Sequence, residues 1–155
     1  AVQKNGGKQI ALKGHEMPLL NLLPDGTAIM GYDAVAYHTE QKARKGSTAY
    51  VEWYHGARYQ FVSKENQDLF RDNPKKYIPE YGGFCAYAMS LGKLRPINPE
   101  LFSIENGRLM LQHTQEAYDL FKKDVPGNIR KADEKWPNVQ QKRQGKKVKY
   151  DKPAK

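Results

Sequence analysis

The sequence predicts an α+β fold: a compact single domain with two β-hairpins and several short helices, ending in C-terminal helices and a flexible basic tail. Three observations carry that reading. In TAYVEWYHGARYQFVS (48–63), Ala49, Val51 and Trp53 alternate with Tyr50, Glu52 and Tyr54, and Tyr59 and Phe61 resume the alternation beyond His55-Gly56. In LFSIENGRLML (101–111), Asn106-Gly107 supplies the positive φ values of a two-residue hairpin turn. Ser63 and Thr114 each precede a stretch of helical period, where a hydroxyl can accept a free N–H of the first turn.

Each element follows from its residues. Residues 1–27 form an extended N-terminal arm, polar and glycine-bearing at first, then LLNLL as a short strand or helical turn, then the turn Pro24-Asp25-Gly26. Residues 28–137 form the folded body. After the first hairpin, Ser63 caps KENQDLFRDN, with Leu69 and Phe70 on its core face, and Asn73-Pro74 ends it. GFCAYAMSLG (83–92) reads as a helix starting near Gly82-Gly83 and stopping at Gly92. After the second hairpin, Thr114 caps QEAYDLFKKD, where Ala117, Leu120 and Phe121 share a face. Pro126 opens a last helix, with Ile129, Ala132 and Trp136 aligned, that stops before Pro137. Residues 138–155 read as a basic, disordered tail. No internal repeat is read.

Charge narrows the function classes. The net charge of +9 concentrates in VQQKRQGKKVKYDKPAK (139–155), which holds seven Lys/Arg against one Asp, so the body is only mildly basic. That pattern argues against specific nucleic-acid binding and leaves the tail as a solubilising end or a contact for anionic surfaces. No apolar run is long enough to span a bilayer as a helix. A chain opening at Ala1 without Met is expected to be a mature periplasmic or secreted protein freed of its signal peptide.

No phosphate loop or GxSxG is present, and His15, His38, His55 and His113 lack the spacing of a closed zinc site. The single cysteine, in YGGFCAYAMSLGK (81–93), is therefore the candidate reactive group. It reads equally as a packed small hydrophobe. Gly82 and Gly83 allow close backbone approach, and a helix start there would stabilise a thiolate at Cys85. Cys85 and Met89 stand at i, i+4 and could offer two sulfurs to Cu(I) or another soft ion. Tyr32, Tyr37, Tyr81 and Tyr87 could ring the thiol, or simply fill a core. Asp33 is expected to cap the next turn or to pair with Lys93 or Arg95, because a buried unpaired carboxylate is costly.

GYDAVAYHTEQKARKG, the hairpin and helix through YGGFCAYAMSLGK, and NPELFSIENGRLML…FKKDVPGNIRKADEKWP resemble the bacterial YHS domain-containing (seleno)proteins. The resemblance covers about 28–137 and is most specific in YGGFCAYA. It implies a cell-envelope protein, and a position at Cys85 that holds selenocysteine in some relatives. Such a position suits redox or soft-metal chemistry better than packing. The wider family is regarded as metal-binding through cysteines near the second hairpin strand and in the next helix. Phe61-Val62-Ser63 and Asn66-Gln67 stand there instead, so only Cys85 carries over.

The leading expectation is a carrier or sensor that binds copper or another soft metal through Cys85, with Met89 as a second ligand and one of the histidines or a partner chain completing the site. It would receive or deliver the ion by way of an envelope metal-transfer or redox protein. The alternatives are a thiol-dependent redox protein with Cys85 as its catalytic group, and a non-catalytic envelope interaction module.

Overall fold

The computed structural model describes residues 2–5, 8–11 and 18–152, with only the backbone described for the first two stretches. His15 lies outside them. Among the described residues three antiparallel strand pairs and six α-helices form the α+β architecture. Strands β1 (Val2–Asn5) and β2 (Lys8–Ala11) pair with one another, so this part of the predicted arm is a hairpin rather than a single extended stretch. Helix α1 (Ala34–Thr39) leads to the pair β3 (Ser47–Tyr54) and β4 (Ala57–Phe61), then to α2 (Lys64–Asp72) and α3 (Pro74–Tyr77). Helix α4 (Ala86–Ser90) leads to β5 (Asn98–Glu105) and β6 (Arg108–Gln112), then to α5 (Gln115–Lys123) and α6 (Val125–Arg143).

Both predicted body hairpins form. His55 and Gly56 take φ of 48° and 85°, and Asn106 and Gly107 take 51° and 77°, the two left-handed residues of a type I′ turn. Ser63 and Thr114 accept N–H bonds from Asn66 and Ala117 as caps. Phe70 is buried as expected, but Leu69 points outward.

The order of elements exposes a repeat that the letters hide. GYDAVAYH (31–38) and GFCAYAMS (83–90) occupy equivalent places, each following a left-handed turn: Ile29, Met30 and Gly31 in one half, Tyr81, Gly82 and Gly83 in the other. The Asp33 N–H donates to the Arg44 carbonyl, and the Cys85 N–H to the Arg95 carbonyl. Each hairpin carries its irregularity at the same place, between Ser47 and Val51 and between Asn98 and Phe102. Each nine-residue helix then contains Asp-Leu-Phe and ends at a residue of matching backbone, Asn73 (φ −155°, ψ 71°) and Asp124 (φ −153°, ψ 74°). Two buried clusters form, one around Tyr37, Phe61 and Phe70 that also takes in Ile97, Leu109 and Leu111 of the second half, the other around Phe84, Met89 and Phe121. The repeat escapes sequence reading because only glycines, alanines, caps and one tripeptide persist, while the core residues differ.

Three expected boundaries change. The helix expected from Gly82 is a tight turn over Tyr81–Gly83, and α4 begins only at Ala86 with Cys85 before it. Left-handed φ at all three turn residues prevents an earlier start. Helix α6 runs through Pro137 to Arg143, held by Trp136 and Val139 against the second core. Residues 144–152 of the expected disordered tail are docked: the Leu94 N–H donates to the Asp151 carboxylate, the Asp151 N–H returns to the Leu94 carbonyl, and Arg143 pairs with Asp151.

Candidate functional site

Cys85 stands at the N-cap position of a five-residue helix and lines a cavity of about 380 Å³. Tyr87, Ala88, Leu91, Arg95, His113 and Ala117 contribute to its walls. The residue is only 1% exposed, so the sulfur meets solvent through this cavity or hardly at all. The His113 N–H donates to Sγ at 3.3 Å, and the thiol donates to Gln112 Oε1 at 3.4 Å. Gln112 Oε1 also accepts the Tyr87 N–H, while Gln112 Nε2 is buried with no hydrogen-bond partner among the described residues. Arg95 Nε is a second such orphaned donor.

Burial pushes the Cys85 thiol up from its ordinary pKa, and this outweighs the N–H groups of Ala88, His113 and Tyr87 and the charge of Arg95, which all favour the thiolate. The expected depression by a helix terminus is thus reversed. A single short turn carries little dipole, and Gly83 donates its own N–H to Glu80 rather than to sulfur. Burial and Arg95 push the His113 imidazole down, which keeps it neutral and able to bind a metal near neutral pH.

The other expected site residues are spread out. Met89 is fully buried in the second core, at the place Tyr37 takes in the first, and does not line the cavity. Tyr37 donates to the Pro99 carbonyl at 2.7 Å, Tyr32 to Glu100, and Tyr81 to Asp133, so of the four tyrosines only Tyr87 reaches the cavity. Gly82 and Gly83 hold the chain entering the body: their carbonyls accept the Asn21 backbone and side-chain N–H groups. A Cβ on Gly82 would lie 2.5 Å from the Leu19 carbonyl oxygen. Lys93 donates its backbone N–H to Ala88 and does not line the cavity.

Asp33 is the expected cap. It is fully buried, its Oδ1 accepts the Val35 and Ala36 N–H groups, and its Oδ2 accepts the Val62 N–H and Asn66 Nδ2, all within 3.1 Å. Lys93 and Arg95 are not among these partners. His113, Gln112 and Arg95 were not singled out as partners of the thiol from sequence, and the signal that would have found them is the repeat. His113 stands where Val62 does, and Arg95 where Arg44 does.

Residues 35–81 match the family model of the YHS domain. That stretch runs from α1 through α3 and ends at Tyr81, so the match falls on the first copy of the repeat and stops short of Cys85. The match fits a metal-related role. No curated protein and no solved structure matches the chain.

Proposed function

We propose that this protein binds one soft metal ion, Cu(I) foremost, in the Cys85 cavity and serves as a carrier or sensor in the cell envelope. The carrying observation is that a thiol and a neutral imidazole, Cys85 and His113, line the same cavity. Sulfur and imidazole nitrogen are donors that copper accepts, whereas Mg²⁺ and Ca²⁺ favour oxygen. No group of three or more His, Cys, Asp or Glu capable of holding a metal occurs among the described residues. That set suits a d¹⁰ ion content with two donors better than an ion that needs four. His113 replaces Met89 as the companion ligand, because Met89 belongs to the core. Backbone N–H groups facing the sulfur would offset its charge once a metal displaced the proton.

Cu(I) titration under reductant against a competing chelator tests this reading. We expect about one equivalent bound, loss of binding in Cys85→Ser, weakening in His113→Leu and little change in Met89→Leu. Wild-type affinity in Cys85→Ser would overturn the proposal. Fractionation of cells producing the protein from its natural gene tests the envelope assignment, and recovery from the cytosol would overturn it.

A further inference from the structure

The repeat places Cys85 where the first copy holds a carboxylate. Asp33 meets the N–H groups of Val35, Ala36 and Val62, and Cys85 faces the corresponding groups of Tyr87, Ala88 and His113. The thiol is shorter than the carboxylate. It accepts the His113 N–H but makes no capping bond to the first turn of α4, whereas Asp33 Oδ1 reaches both N–H groups of α1. The fourth donor of the first copy, Asn66, corresponds to Ala117, which lines the cavity beside the sulfur. Gln112, fully buried, touches Sγ through Oε1, which also takes the Tyr87 N–H, while its Nε2 has no hydrogen-bond partner among the described residues. The backbone groups of Tyr87, Ala88 and His113 that face the sulfur are donors, and the three equivalent groups hold a two-oxygen carboxylate in the other half of the molecule.

We infer that Cys85 is a peroxide-sensitive site whose sulfinate form occupies this cradle as the counterpart of the Asp33 carboxylate. Cysteine sulfinate and aspartate share the same backbone and a two-oxygen anionic head. In the first step the Cys85 thiolate attacks a peroxide oxygen. The S–O bond forms, the O–O bond breaks, sulfur loses two electrons, and the departing hydroxide takes up the proton the thiol had released, so a sulfenic acid and one water result. The sulfenic acid then loses its proton, and the sulfenate attacks a second peroxide in the same way, giving the sulfinate and a second water. The cavity borders Cys85 and would admit the oxidant, and the added oxygens would lie toward the Ala88 N–H group and compete with Gln112 Oε1 for the Tyr87 N–H. Oxidation also removes the soft donor, so a metal-binding Cys85 would be switched off by it, although the oxidation chemistry stands without that reading.

The test treats the full chain with hydrogen peroxide in the presence of a chelator, which separates its outcome from that of Cu(I) binding. Peptide mass mapping should find two added oxygens on Cys85, and the oxidised protein should melt no lower than the reduced one. Cys85→Asp should melt at or above wild type and above both Cys85→Asn and Cys85→Ala. Ala117→Asn, which restores the fourth donor, should raise the melting temperature of Cys85→Asp more than that of wild type. The inference is overturned if Cys85→Asp melts below Cys85→Ala or fails to fold. It is equally overturned if the oxidised protein melts lower, or if native Cys85 stays a thiol at peroxide levels that oxidise it in the urea-unfolded chain.

Discussion

Removing the Asp33 carboxylate should damage the fold without touching the proposed metal site. In Asp33→Ala, the Val35 and Ala36 N–H groups at the start of α1 lose their cap, a loss of about 1 kcal/mol. The Val62 N–H and the buried Asn66 amide lose their acceptor, and each orphaned donor costs about 1–3 kcal/mol. Together these predict a destabilisation of about 3–7 kcal/mol, a large share of the ~5–15 kcal/mol that holds an ordinary domain together. Asp33→Asn keeps one oxygen for the cap and turns an amide N–H₂ toward Val62 and Asn66, so about half that loss is expected. Urea unfolding followed by the fluorescence of Trp53 and Trp136 reads both variants as a lowered midpoint at unchanged slope. A loss below about 1 kcal/mol in Asp33→Ala would refute the accounting. Weakened Cu(I) binding by folded Asp33→Asn would show that Asp33 serves the site directly.

Gly82→Ala should destabilise by at least about 2 kcal/mol, because alanine resists φ of 63° and its Cβ meets the Leu19 carbonyl; an unchanged melting temperature would refute this. Alkylation of native Cys85 should show a rate-versus-pH midpoint above the ordinary thiol value of about 8.5, and a midpoint below that value would contradict the raised pKa. By the same sign, Cu(I) must displace a proton at neutral pH, so apparent affinity should rise about tenfold per pH unit below the thiol pKa. A pH-independent affinity would remove Cys85 from the ligand set. The Arg108 guanidinium, paired with Asp133 and Glu80, holds the Asp133 carboxyl below the usual carboxylate range. The stabilisation from that depressed pKa is present above about pH 4 and is lost as pH falls through the folded-state value. Asp133→Asn should therefore lower stability at neutral pH by about 1 kcal/mol or less, both partners being partly solvated, and the difference should vanish in acid. A difference that persists below about pH 2 would refute it.

Elements whose cause is local were legible in the sequence. Asn106-Gly107 and His55-Gly56 make their hairpins because two adjacent left-handed residues are a property of those residues, and Ser63 and Thr114 cap because a hydroxyl reaches its own helix. Cys85 was legible as the candidate chemistry by elimination, and Asp33 as a cap by its position. The partners of Cys85 were not legible, because they lie across the fold: the His113 N–H from just beyond β6, the Gln112 amide from its end, and Arg95 from the loop before β5. The direction of the thiol's pKa was misjudged for the same reason. A helix start can be read from sequence, but the burial that outweighs it comes from tertiary packing. Met89 shows the opposite failure, since i, i+4 spacing aligns two side chains on an ideal helix, and α4 is too short and its far face too apolar to keep them together.

The sequence by itself determined the α+β class, both body hairpins and three helix caps, because each depends on residues within a few positions of one another. Only the tertiary structure decided that the chain folds as two copies of one unit and that Cys85 sits in the N–H cradle which holds a carboxylate in the first. It also decided that the basic tail returns to Leu94. Those facts depend on contacts between distant segments, whose equivalence survives in backbone shape and donor position after most side chains have diverged.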